Sequence, residues 1–338
     1  KGKGYPPAER NPDAFHGVSP FDPATGEPLK KSGENFSSVF GSALTELAER
    51  DRRICAITAA MPGGTGLDGF ARRYPERFFD VGIAEGCAVS MAAGMAKEGA
   101  VPVFAVYSTF LQRSYDMLIH DVALDGLHVV LGVDRAGLVG EDGETHHGLF
   151  DVPFLSTVPG MTVLAPANFA ELRAMLFRAV EEYTGPVAVR YPRGGQGSYT
   201  QDNSRDGCVT LREGRDITLV GYGTQINELL AAAELLAAAG VQAEVIKYNC
   251  VAPLDPGPAV RSVGRTGALL CAEECALSGS VGQRLLAALE QAGVEARSAL
   301  VSCGEGIVTH GSSEQLKKKL GLDGDSLFHR AMEVLGRG

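Results

Sequence analysis

The chain has 338 residues, 45% of them apolar, enough for the cores of two domains of ordinary size. Its 41 acidic against 31 basic residues leave a net charge of −10, which argues against nucleic-acid binding, because no basic tract offsets phosphate repulsion. No apolar run reaches the roughly 18–20 residues that span a bilayer, no signal-peptide pattern is present, and seven cysteines without a C-x-x-C pair read as reduced thiols of a cytoplasmic protein.

Residues 1–34 are rich in Gly, Pro, Lys and Asp, and Pro6, Pro7, Pro12, Pro20, Pro23 and Pro28 exclude a long helix. This segment reads as a linker that wraps over a surface. It opens on Lys1-Gly-Lys-Gly-Tyr without an initiator Met, like the interior of a longer polypeptide. Phe36, Val39, Phe40, Ala43, Leu44 and Leu47 then recur at helical spacing, with Asn35 or Ser37 placed to cap. Residues 54–60 form an apolar strand, followed by the glycine-rich turn Pro62-Gly-Gly-Thr-Gly66. From Phe78 to Tyr115, an apolar run carries one acid, Glu85, into a small-residue helix. A second apolar run ends in Tyr107, Ser108, Thr109, Phe110, Leu111, Gln112 and Arg113. A helix is expected from about Ser114 to Leu124, a strand over 128–134 and a glycine-rich loop from Arg135 to Gly148. Strand 161–166, helix 168–182 and strand 186–195 complete the region.

The polar, turn-forming stretch 196–208 marks a domain boundary. Strands at 217–223, 241–249, 268–274 and 296–303 then alternate with helices at 224–239, 281–292, 313–320 and about 325–335. Such alternation predicts an α/β fold in two domains, 35–195 and 209–338, each a mostly parallel sheet flanked by helices.

Several groups carry chemical potential. Gly221-Tyr-Gly223 is half of a dinucleotide fingerprint, but Ile226 stands where the third glycine belongs, so a tight turn is the better reading. Gly63-Gly-Thr-Gly66 lacks a P-loop ending and reads as a loop beside a site. His146 and His147 are adjacent without ligand spacing, which suits an acid/base or hydrogen-bonding role for one of them better than zinc. Cys271 and Cys275 flank two glutamates and read as a strand end. Arg113, Arg135, Arg190 and Arg193 all fall at strand ends, as they would around an anionic substrate; surface ion pairs are the competing explanation. Glu85, in apolar surroundings, needs either an arginine partner or a protonated nitrogen on a ligand.

The motifs D-V-G-I-A-E (80–85), Y-S-T-F-L-Q-R (107–113), I-H-D-V-A (119–123), D-R-A-G-L-V-G-E-D-G-E-T-H-H-G (134–148) and R-Y-P-R-G (190–194) closely resemble the 1-deoxy-D-xylulose-5-phosphate synthases of the transketolase superfamily. K-G-K-G-Y-P-P-A-E and F-H-G-V-S-P-F-D near the start are similar to that family's interdomain segment, and the likeness thins over the last third. The resemblance implies a transketolase-like pyrimidine-binding domain, a C-terminal domain and thiamine diphosphate as cofactor. It implies condensation of pyruvate, with loss of CO₂, with glyceraldehyde 3-phosphate to 1-deoxyxylulose 5-phosphate, the first step of the non-mevalonate isoprenoid pathway. By the same resemblance, Glu85 bonds the cofactor's aminopyrimidine nitrogen and Phe110 packs on that ring. Tyr107, Arg135 and Arg193 hold the acceptor's phosphate with Arg113 in support, Asp142 lies on the substrate side, and His146 transfers protons.

Two departures stand out. Where the family commonly has a histidine two residues after the glutamate, this chain has Cys87, preceded by Gly86. The family's Gly-Asp-Gly…Asn site for diphosphate and Mg²⁺ is absent from the sequence. The expectation is therefore a chain without its own metal ligands, needing an N-terminal diphosphate-binding domain in cis or in trans, in a homodimer acting on small molecules and not on a membrane. The alternative is another transketolase-superfamily subunit, or a weakened paralogue acting as an assembly partner.

Overall fold

The computed structural model describes residues 2–12, 15, 18, 20–29 and 33–337. Lys1, His16, Gly17 and Ser19 of the segments likened to an interdomain linker lie outside the described residues. The chain divides into two compact units, Lys1–Glu34 and Asn35–Gly338. In the first, prolines allow only a short helix, Pro6–Arg10. Tyr5, Phe15 and Phe21 cluster with ring centroids 5.3–5.9 Å apart, and the Tyr5 hydroxyl donates to the Pro23 carbonyl.

The second unit contains two sheets. β1 (Ile54–Thr58), β2 (Phe78–Asp80), β3 (Val101–Tyr107), β4 (Val130–Asp134), β5 (Thr162–Leu164) and β6 (Val187–Arg190) run parallel in the order β5-β6-β4-β3-β1-β2. β3 and β4 are apolar along nearly their whole length because helices cover both faces. Phe104, Val106, Leu131 and Val133 pack on one side, and Phe36, Phe40, Leu44 and Tyr191 on the other. The helix Phe36–Arg50 begins where predicted: the Asn35 side chain accepts from the Ser38 amide, and Ser38 reciprocates in a capping box. Because β1 lies between β2 and β3, the chain's direction of travel across the sheet reverses there. Ligands of such sheets bind outside the carboxyl ends of the strands flanking the reversal.

The second sheet has the order β12-β11-β8-β9-β7, from β7 (Cys208–Arg212), β8 (Ile217–Tyr222), β9 (Ala243–Tyr248), β11 (Ala268–Ala272) and β12 (Arg297–Val301). All neighbours are parallel except β7, which runs against β9 as an edge strand beginning at Cys208, the last residue of the stretch read as boundary. A further strand departs from expectation. After Tyr248 the chain turns at Asn249, and β10 (Cys250–Ala252) pairs antiparallel with β5, so the second series closes the edge of the first sheet. A helix at Gly257–Thr266 was also not foreseen. The helix expected over 114–124 is broken into a 3₁₀ turn, a short α-helical turn and a π-helix at Leu118–Ala123. That wider winding still buries Leu118 and Val122.

A buried polar cluster ties the sheets together. Glu171, on the helix Phe169–Glu181, accepts from the Ala167 amide (2.8 Å), the Asn203 amide (3.2 Å), the Tyr199 hydroxyl (3.3 Å) and Lys247 of β9. Lys247 also donates to Asn249, whose amide reaches the Asn203 and Asp206 carbonyls. Glu171 and Lys247 have no solvent exposure.

Candidate active site

The eight residues given roles by the resemblance, Glu85, Tyr107, Phe110, Arg113, Arg135, Asp142, His146 and Arg193, meet at the carboxyl edge of the first sheet. Asp80, ending β2, accepts from the amides of Ala60 and Gly82, and Gly82 turns at φ +69°. This hairpin bend delivers Glu85 to the first turn of the helix Glu85–Lys97, where the helix dipole favours a negative charge. The Glu85 side chain is 3% exposed, and Arg113 Nη1 lies 3.2 and 3.1 Å from its two oxygens. Of the two explanations for a buried acid here, the arginine partner is therefore present. Arg113 itself is 58% exposed and passes 5.7 Å from the Phe110 ring.

β3 carries the aromatic part. Tyr107 and Phe110 stack with centroids 5.8 Å apart, and His146 stands edge-on to Phe110 at 5.4 Å. Burial pushes the Tyr107 phenol above its usual range, while the Arg135 guanidinium, 4.1 Å from its ring centroid, pulls the other way. Arg135 sits at φ +59°, a strained conformation for a side chain of this size. Its Nη1 donates to Asp134 (2.9 Å), Ser37 (3.1 Å) and the Gly64 carbonyl (2.6 Å), and its Nε is buried without a partner. Asp134 is wholly buried; desolvation raises its carboxyl, against the pull of Arg135 and of the Ser37 hydroxyl at 2.7 Å.

Arg193 holds the rim. It donates to the Val139 carbonyl and Glu141 at 3.2 Å and pairs with Asp142 at 3.2 Å. The two histidines separate. His147 is buried, accepts from the Val139 amide at Nδ1 and therefore donates from Nε2 to the Thr309 carbonyl, which makes it a strut between loops. His146 faces the aromatic pair, with Nδ1 at 2.8 Å from Thr145 Oγ1. Arg190 is paired with buried Asp151 and lies inside the protein. The four strand-end arginines thus all have acid partners, and Arg113 and Arg193 are the two with substantial exposure. Among the described residues, no group of three or more His, Cys, Asp or Glu is placed to hold a metal ion.

Ser37 and Gly64 escaped the sequence reading. Ser37 sits in sequence where a cap would, but it holds Asp134 and Arg135 together from 97 residues away. Gly64 lies so near Tyr107 that a Cβ there would collide with the phenol oxygen, a role the glycine run alone only hinted at. At Gly86 a Cβ would meet only the end of the Met117 side chain, 2.8 Å from its methyl, which can swing aside. Cys87, where the resembling family commonly has histidine, is exposed.

The transketolase pyrimidine-binding domain model matches residues 33–196, and the transketolase C-terminal domain model matches 206–327. The chain belongs to the transketolase family. This transketolase-family chain is 47% identical over 337 residues to a 1-deoxy-D-xylulose-5-phosphate synthase of Desulforudis audaxviator, covering 98% of the chain and 53% of that protein. It is 47% identical over 331 residues to 1-deoxy-D-xylulose-5-phosphate synthase 1 of Geobacter sulfurreducens, covering 96% and 52%. The chain spans about half the length of the curated relatives it matches. A split-gene transketolase, solved as an inactive beta4 tetramer, superposes with a TM-score of 0.79 at 28% identity, over 90% of this chain and 99% of that one. Transketolase from Leishmania mexicana shares the fold, with a TM-score of 0.75 at 16% identity over 92% of this chain and 47% of that one.

Proposed function

We propose that this chain supplies the pyrimidine-side half of a thiamine diphosphate-dependent transferase that condenses pyruvate, with decarboxylation, with glyceraldehyde 3-phosphate to 1-deoxyxylulose 5-phosphate in the cytoplasm. The carrying observation is Glu85, a 3% exposed carboxylate at a helix start with an aromatic stack beside it, in a chain 47% identical to synthases of that reaction. The residues fit the cofactor's aminopyrimidine. A carboxylate has lone pairs beyond the two that Arg113 engages, so Glu85 can accept a ring N–H while Arg113 stays in place. Phe110 offers an apolar ring for the aminopyrimidine to lie against. Thiamine diphosphate, when bound, supplies the electron sink for decarboxylation.

The remaining residues act on substrate. Arg193 exchanges its exposed partner Glu141 for the acceptor's phosphate at little cost, because such a surface pair is worth about 0–1 kcal/mol. Arg113 adds a second accessible cation. Arg135, engaged three times through Nη1, acts through Tyr107, whose ring it supports and whose hydroxyl reaches toward the phosphate. Asp142 orients Arg193, and His146 moves a proton at a substrate hydroxyl through Nε2.

The diphosphate and Mg²⁺ ligands are assigned to an N-terminal domain, in cis or in trans, in a homodimeric assembly. Likeness to a split-gene transketolase favours the arrangement in trans. The test reconstitutes the chain with an N-terminal domain from a relative and assays it with pyruvate and glyceraldehyde 3-phosphate. Glu85→Gln is expected to lower turnover by about 10²–10⁴ while leaving the melting temperature within a few degrees. Full activity in Glu85→Gln overturns the role of Glu85. Tight Mg²⁺–thiamine diphosphate binding and turnover by the chain alone overturn the need for a second segment.

A further inference from the structure

A cleft of about 650 Å³ opens between the loop 156–162, the Pro253–Leu254 turn and the helix Val281–Gln291. Thr162 begins β5, so the cleft lies at the amino edge of the first sheet, opposite the edge that carries Glu85 and Tyr107. Its volume is in the range of small-molecule sites. Val158, Leu254 and Ala288 contribute apolar wall, and the cleft contains one cation, Arg284.

Arg284 is half-buried and forms no salt bridge among the described residues. Its Nη2 is shielded from solvent without a hydrogen-bond partner, and its Nε makes only a long contact, 3.5 Å, to the Ser280 carbonyl. Burial, working against the favourable influence of Tyr222 and Glu273, lowers the guanidinium below its ordinary range. Glu273 gives no direct pairing: its carboxylate accepts from the Tyr222 hydroxyl (3.0 Å) and the amides of Val281 (3.0 Å) and Gly282 (2.8 Å). Ser156, on the facing loop, has a buried hydroxyl without a partner. A partly desolvated cation without a direct ion-pair partner is costly, and an anion in the adjoining space reduces that cost.

We propose that this cleft binds a small organic anion, its phosphate or carboxylate head on Arg284 within reach of Ser156 and its short apolar body against Leu254 and Ala288. The cleft lies on the sheet edge opposite Glu85, and the proposal does not rest on the function proposed above. The experiment titrates the full chain with butyl phosphate and, separately, with hexanoate, by calorimetry. Saturable 1:1 binding of either probe is expected, and which one binds identifies the head group. Arg284→Leu is expected to weaken binding at least tenfold, equivalent to about 1.4 kcal/mol. Ala288→Phe fills the cleft while keeping the charge, and is expected to abolish binding. Because no ion pair is lost, Arg284→Leu should melt at or above the parent temperature. The proposal is overturned if neither probe saturates, if binding survives both substitutions, or if Arg284→Leu melts well below the parent, which would make Arg284 a structural group.

Discussion

Replacing Lys247 by methionine tests how the two sheets are held together. Lys247 and Glu171 are both without solvent exposure, so the substitution leaves a carboxylate in the interior with no cation. Breaking a buried pair from one side costs about 3–5 kcal/mol. Three other donors remain on Glu171, at 2.8, 3.2 and 3.3 Å, which places the expected loss at the lower end, about 3 kcal/mol. At about 2–4 °C per kcal/mol for a domain of 150–250 residues, the melting temperature should fall by roughly 6–12 °C. Adding Glu171→Gln removes the stranded charge but keeps an acceptor for those donors, and should recover more than half of the loss. Calorimetric and urea unfolding of the parent, Lys247→Met and the double variant measure each term. A single variant within 1 kcal/mol of the parent, or a double variant no better than the single, would falsify the clamp.

Three further outcomes are expected. With a maleimide at pH 8, Cys87 should label first and Cys271, Cys275 and Cys303 only on unfolding. Burial pushes the Cys208 thiol up to about 12, so about one molecule in 10⁴ is thiolate at pH 8 and its labelling should rise about tenfold per pH unit; a plateau near pH 9 would contradict this. Gly64→Ala forces the Tyr107 ring aside and should cost about 1–3 kcal/mol, with a change in the tyrosine near-ultraviolet dichroism; an unchanged spectrum would exclude the close approach. His147→Ala leaves the Val139 amide without its acceptor, at about 1–3 kcal/mol, and should open the loops around residues 140 and 309 to limited proteolysis, an effect read from the cleavage pattern.

Much of the fold was legible because parallel strands announce themselves as apolar runs and capped helices by their spacing. Asn35 capped as its position suggested, and Gly321 ends the helix expected over 313–320 in the left-handed region, where glycine is favoured. β10 was hidden because its three residues, Cys250–Ala252, follow β9 after Asn249 alone, and nothing local says that they pair with Val163 and Leu164, 86–89 residues earlier. The helix Gly257–Thr266 was masked by a Pro-Gly-Pro start and only three buried positions, Ala259, Ser262 and Val263. At the site, residue types were readable and their pairings were not. That Arg113 reaches back 28 residues to Glu85, or that Ser37 locks Asp134, depends on strand order, which sequence periodicity does not encode.

The closing of the first sheet by β10 has a consequence for synthesis. β6 ends at Arg190 and β10 at Ala252, about 60 residues later, which the ribosome takes roughly 3–12 s to add at 5–20 residues per second. Throughout that interval the nascent first domain presents β5 as an unpaired edge, a template for pairing with another chain. Thr162, Val163 and Leu164 are therefore the segment where a chaperone, or a neighbouring nascent copy, would engage during translation, and a first domain made without the second would keep the same edge exposed.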